Sequence, residues 1–415
     1  MNMNFAHNPI LDNHIFIPDV EAHAWGDGRI YLYGSFDIQG DGNYCSDVYH
    51  VYSSEDMIHW TDHGQSFSIA DTNWAKDCGV LYAPDCAYKD GWYYLYYCVP
   101  DGRCGVAKSQ SPTGPFEDVG YIEGIWGIDP AVLVDDDGQA YIYWGQLTWG
   151  KAAKLKDNMV EIEPETVTDM LTIEEHEFHE GSSVKKINGK YYFLFADTHR
   201  HGNRPTSLGY AVSDTPLGKY EYKGVIVDNF GCDPSVWNNH GSMECFKGQW
   251  YVFYHRSTHG GVTSRHVCIE PIYFDVDGNI IEAQQTTSGV GDPIPAKNPI
   301  PANLACALTG HVRIMGDETS SENLVLAQIR DGDTATYRYL LFNGETRLSI
   351  RMKNNVECRV ELYLDGAYHA EVKVAPAEDY AEVQMTLPAV SGDREVTLKF
   401  YGGEMDASAE CLTFA

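Results

Sequence analysis

The sequence predicts an all-β chain, a five-bladed β-propeller followed by a β-sandwich. Three observations predict it: a hairpin pattern written five times, intervals of about 45–65 residues between the copies, and a change of style from about Arg265 onward. Each copy has a polar opening residue, a short apolar run, a glycine-bearing turn and an aromatic strand. The intervals leave room for two further strands per copy, the make-up of a propeller blade.

The first copy runs from His14 to Asp37, with Asp19 as its polar residue and Gly26-Asp27-Gly28 as its turn. The second begins at Asp85 and turns at Asp90-Gly91; the third begins at Asp129 and turns at Asp137-Gly138. Glu180 opens the fourth, turning at Asn188-Gly189, and His240 opens the fifth, turning at Lys247-Gly248. Asp135-Asp136-Asp137 reads as a solvated acidic turn rather than a cation loop, and Asp157 to Glu175 is too interrupted to predict a helix. His179 is read as alternating to the outer face of its strand. From Arg265 a closing strand pair leads into a Thr-, Gly- and Pro-rich stretch, 286–304, predicted as a linker between a domain of residues 1–285 and a sandwich of residues 305–415. Alternating runs such as Glu357–Gly366 and Arg394–Gly403 predict the sandwich strands.

Composition narrows the function. The 415 residues carry a formal net charge of −31, which excludes nucleic acid and anionic membrane surfaces as partners. No run approaches the roughly 18 apolar residues of a membrane-spanning helix. The stretch Met1–Asn13 lacks the basic start and apolar core of a signal peptide. Eleven cysteines without CxxC spacing read as reduced, buried thiols, so the expected location is the cytoplasm. No oligomeric state follows from the sequence.

In a propeller the innermost strand of every blade lines the axis, so Asp19, Asp85, Asp129, Glu180 and His240 converge there. Buried charge needs a partner or a task. Some of these groups, Asp85 first among them, are candidates for tying blades together instead. Carboxyls gathered in one pocket suit acid–base chemistry, in which one carboxylate takes a proton and a separate carboxylic acid gives one. Asp19 and Glu180, on opposing blades, suit those tasks, and an ionised Asp129 nearby would raise the pKa of Glu180. Loops between blades offer Phe36, Trp74, Trp126 and Arg200 as sugar-facing candidates.

With these motifs in order, the first 285 residues or so resemble glycoside hydrolase family 43. The resemblance implies a five-bladed propeller, Asp19 in IPDVEAH as general base, Glu180 in HEGSSVKK as general acid, and Asp129 in GIDPAVLVDDDG as the carboxylate that orients the acid. It matches Tyr82-Ala83-Pro84-Asp85 to a substrate-side motif, and Arg265 to a substrate-facing arginine. His240, in Asn239-His240-Gly241-Ser242, falls where relatives face a metal ion or water, so Ca²⁺ in the axial channel is the one ion the resemblance allows; no cofactor is required. The expected activity is exo-acting, inverting removal of α-L-arabinofuranosyl or β-D-xylosyl units from plant-derived oligosaccharides. A β-D-galactofuranosidase, an endo-arabinanase or a non-catalytic sugar-binding propeller are the alternatives. Residues 320–403 resemble carbohydrate-binding module family 6, with Tyr337 or Tyr339 as a sugar-stacking ring; packing against the propeller is the alternative role.

Overall fold

The computed structural model describes residues 5–147 and 149–415; the first four residues of the N-terminal stretch read above lie outside them. Blade one is the antiparallel meander Glu21–His23, Ile30–Tyr33, Val48–Ser54 and Trp60–Ser68. Blade two is Asp85–Lys89, Trp92–Cys98, Arg103–Ser109 and Glu117–Trp126; blade three is Ala131–Val134, Ala140–Gln146, Trp149–Lys154 and Thr168–Thr172. Phe178–Ile187, Lys190–Asp197, Ser207–Ser213 and Glu221–Asp228 make blade four, and Ser242–Phe246, Gln249–Ser257, Arg265–Phe274 and Ile280–Ile281 make blade five. The inner hairpins follow from their turns. Asp90-Gly91, Asn188-Gly189 and Lys247-Gly248 all have positive φ, the conformation a two-residue type I′ turn demands and glycine allows at its second position.

The ring is closed by packing. Separate apolar layers fill the spaces between blades one and two, two and three, three and four, four and five, and five and one. The last layer joins Ile30 and Leu32 to Phe253, Val267 and Ile269. On the inner strands, Ser242 Oγ donates to the Val20 carbonyl at 2.8 Å and accepts from the Ala22 N–H at 3.0 Å. First and last blades are therefore tied across more than two hundred residues of chain.

The C-terminal strands share one core, built around the long strands Thr334–Asn354 and Ala377–Tyr401. The predicted linker is different from expectation. Ile294–Pro295 pairs with Leu340 and Leu341, and Ile300–Pro301 pairs with Leu412 and Cys411. Ile294, Ala296, Ile300 and Ala302 are buried in the sandwich core. Proline at a strand edge needs no ladder partner on its nitrogen side, so the Ile-Pro pairs serve as edge strands with an apolar anchor. Tyr337 is fully buried and its hydroxyl donates to the Ala302 carbonyl at 2.8 Å, so it cannot stack on a sugar. Tyr339 reaches Gln284 Oε1 at 2.7 Å.

Arg256, from blade five and 1% exposed, joins the two domains. Its Nη1 donates to the Ala305 carbonyl at 2.7 Å and its Nη2 to the Cys232 carbonyl at 2.8 Å. Arg256→Ala strips two charge-assisted bonds from buried carbonyls and leaves a cavity, so it is expected to destabilise the protein by about 2–4 kcal/mol. Chemical denaturation of the two proteins measures it.

Candidate active site

A cavity of about 380 Å³ opens on the axis where the inner strands begin. Asp19, Tyr82, Asp129, Glu180, His240 and Arg265, all expected at the site, line it. Asp19 and Asp129 sit just before the inner strands of blades one and three, and both have left-handed backbone, φ 57° and 56°. That conformation costs about 1–3 kcal/mol for a residue with a side chain and is found where surrounding structure enforces it for function. It turns each carboxyl inward. Both are nearly sealed from solvent, 5% and 4% exposed, whereas Glu180 is half-buried.

Asp19 is surrounded by cationic and donor groups. Arg265 Nη1 donates to Asp19 Oδ1 at 2.8 Å, while its Nε and Nη2 grip the two oxygens of Asp37 at 2.8 and 2.9 Å. The Tyr44 ring lies against the guanidinium, 4.8 Å from its centroid. His240 and His255 stand 3.7 and 3.6 Å from Asp19 Oδ1. Burial alone would raise the Asp19 carboxyl, but Arg265, then His240 and His255, outweigh it and bring the pKa below the ordinary range. Burial drives His255 down to about 3. Asp19 is thus an ionised carboxylate in a dry site.

Asp129 is the opposite case. Burial, then the charges of Glu180 and Asp19, push its carboxyl well above the ordinary range, although the Gly181 N–H donates to Oδ2 at 3.0 Å. Burial thus favours the neutral form of Asp129, against the ionised carboxylate that the sequence predicts. Glu180 Oε2 accepts from Gln146 Nε2 at 2.9 Å, and the Gln146–Glu180 pairing is also where the sheets of blades three and four meet.

Gly181 makes this arrangement possible. Its φ is +77°, and a Cβ there would lie 2.9 Å from His240 Cδ2. Gly181→Ala is expected to destabilise the protein by about 1–3 kcal/mol and to lower kcat by displacing Glu180 or the His240 ring. Thermal melts and kinetics check both.

His179 does not alternate outward: it lines the cavity, Nε2 3.9 Å from Glu180 Oε2. β-Bulges on either side of Glu180 break the two-residue alternation of side chains along this strand. Asp85 lies outside the cavity, bonded to His23 Nε2 at 2.7 Å and to the Val132 N–H at 2.6 Å, the blade tie considered as its alternative. Phe36 packs between blades five and one, stacked on His50. Trp74 is held between Tyr97 and Arg103. Arg200 spends both Nη groups on Glu282, at 2.6 and 2.7 Å. Trp126, though 62% exposed, is not part of the cavity wall. The wall contains instead Tyr44, Gln146 and the pair Trp237-Asn238. Trp237 was legible as an aromatic on the loop leading to His240; Gln146 reads as an ordinary strand end.

The surroundings of His240 do not fit Ca²⁺, which wants six to eight oxygen ligands. Of the two carboxylates beside it, Asp19 carries the Arg265 guanidinium, and burial pushes the Asp129 carboxyl toward its neutral form. Among the described residues, three ligand atoms converge within 4.8 Å only at Glu21, His23 and Asp85.

A family model described as glycosyl hydrolases family 43 matches residues 6–280. A xylosidase/arabinosidase of Thermoclostridium stercorarium is 29% identical, the match covering 98% of both chains. Xylosidase/arabinosidase 43A of Humicola insolens is 34% identical over 66% of this chain and 98% of that protein. A β-xylosidase/α-arabinofuranosidase from a compost microbial metagenome, solved with xylotriose in a calcium-free form, is 30% identical with a TM-score of 0.59, covering 67% of this chain and 97% of that one.

Proposed function

The chain belongs to glycosyl hydrolases family 43, and from that premise we propose that it is an exo-acting, inverting hydrolase releasing α-L-arabinofuranosyl or β-D-xylosyl units from oligosaccharides. The observation that carries the reading is one cavity in which an ionised Asp19 shares the wall with Glu180 and with Asp129, whose carboxyl burial pushes up. The volume lies near the lower end of small-molecule sites, roughly 300–1,000 Å³, which suits a terminal pentose better than a polymer in transit. The relatives named above as xylosidase/arabinosidase support the choice of sugars.

In this scheme Asp19 takes a proton from water as the water oxygen bonds to the anomeric carbon. Glu180, on the more open side, delivers a proton to the departing oxygen. Asp129 accepts from the Gly181 N–H, next in the chain to Glu180, and so helps to hold the acid in place. Arg265 is a positioning residue: it keeps Asp19 ionised and aimed, with Asp37 fixing its plane. His240, kept below its ordinary pKa by burial, lines the wall beside both Asp19 and Asp129. Free thiols at all eleven cysteines, including Cys98 and Cys104 side by side on neighbouring strands, suit a reducing compartment, and we extend the proposal to a cytoplasmic location, which cell fractionation tests.

The test is digestion of arabinoxylo-oligosaccharides, with products separated by chromatography and the first-formed anomer read by proton NMR. Single pentoses of inverted configuration are expected. Internal fragments first would mean an endo-enzyme, galactofuranose release alone a galactofuranosidase, and binding without turnover a non-catalytic propeller; each overturns the proposal.

A further inference from the structure

Below the cavity, further along the same inner strands, lies a second polar cluster that the scheme above does not use. Each of the five blades contributes to it. Blade one supplies Glu21, His23 and the Ala22 carbonyl; blade two, Asp85; blade three, the Val132 N–H; blade four, Lys185; blade five, Glu244. At its centre is the Lys185 ammonium. Nζ donates to Glu244 Oε2 at 3.1 Å, to the Ala22 carbonyl at 3.3 Å and to His23 Nδ1 at 3.4 Å, and lies 3.9 Å from Glu21 Oε2. Because His23 Nδ1 accepts, its Nε2–H donates to Asp85 Oδ1 at 2.7 Å, and Asp85 Oδ2 accepts from Val132. One ammonium therefore organises a chain of contacts running round the whole axis.

The cluster is also built like a cation site. Glu21, His23 and Asp85 offer ligand atoms that lie within 4.8 Å of one another. Glu21 is 4% exposed, and its Oε1 has no hydrogen-bond partner. Carboxylates with an imidazole are a donor set for divalent first-row ions. The Glu244 and Glu21 carboxylates beside Nζ, at 3.1 and 3.9 Å, favour the charged ammonium.

We propose that the Lys185 ammonium is the resident axial cation of this propeller, standing where Glu21, His23, Asp85 and Glu244 would otherwise gather a divalent ion. The native chain then takes up no divalent cation in this cluster, and removing the lysine side chain creates a site for one. The proposal does not depend on which sugar the cavity accepts.

The test uses Mn²⁺ as probe, bound ion being counted by electron paramagnetic resonance on the full-length protein. Wild type and Asp85→Asn are expected to bind equal numbers of Mn²⁺. Lys185→Ala is expected to bind one more per chain, at least tenfold tighter than any site in the wild type, and Lys185→Ala/Asp85→Asn to lose it. The melting temperature of Lys185→Ala should fall below wild type and recover in part with Mn²⁺, while that of wild type does not move with Mn²⁺ or EDTA through this site. A wild-type Mn²⁺ that disappears in Asp85→Asn overturns the proposal, as does a folded Lys185→Ala that gains no ion. Should Lys185→Ala fold only when Mn²⁺ is present, that dependence supports it. Lys185→Ser, which opens nearly the same room with a polar side chain, is the second variant and is read by the same criteria.

Discussion

Glu180→Gln is expected to lower kcat about 10²–10⁴-fold on natural arabinosides or xylosides, the range for removing a general acid. Because glutamine keeps the shape and can still bond to Gln146, KM should change little. The loss should depend on the leaving group. A nitrophenolate departs without a proton, so nitrophenyl glycosides should lose far less than disaccharides. A plot of log kcat against leaving-group pKa should be shallow for the native protein and steep for the variant. Equal losses on both substrate types would remove Glu180 from the acid role and leave it a binding group. The pH profile adds a second reading. A general acid must be protonated to act, so Glu180→Gln should also abolish the basic limb of kcat/KM.

The inner hairpins were legible because they are local. Asp90-Gly91, Asn188-Gly189 and Lys247-Gly248 carry their turn conformation within two residues, and the aromatic strands after them follow from a two-residue period. The carboxyls Asp19, Asp129 and Glu180 were legible for a related reason: each opens a hairpin, and hairpins of a propeller share an axis. What failed depended on contacts distant in sequence. Whether Trp74 faces sugar or core is decided by Tyr97 and Arg103 on a neighbouring blade. Arg200 looked free until the fold brought Glu282 to it. His179 depended on a bulge, which leaves no mark on an apolar-polar pattern. The stretch 286–304 read as a linker from its turn residues, yet its isoleucines fill the sandwich core. Lys185 gave no signal at all: on an inner strand it passes for an outward-facing lysine, and only ring closure surrounds it with Glu21, His23 and Glu244.

Asp19→Asn should be at least as damaging, about 10³-fold or more in kcat, but with a different signature. Loss of the base affects the attack of water, so nitrophenyl glycosides and disaccharides should suffer alike. Arg265 keeps its fork on Asp37 in the variant, so the site should stay assembled and product should still bind; titration calorimetry with the released sugar checks this. Stability gives an independent handle on the same residue. The folded Asp19 carboxyl titrates below its ordinary value of 3.8 because Arg265 and the two histidines outweigh burial. A group with a depressed folded pKa contributes stability that is present above the unfolded pKa and is lost as pH falls through the folded one. The stability gap between native protein and Asp19→Asn should therefore be constant from about pH 5 upward and narrow as pH drops below about 4. Urea titrations of both proteins at several pH values would show it. A gap that widens on acidification would mean that Asp19 is protonated in the folded chain, and a protonated Asp19 cannot serve as the base.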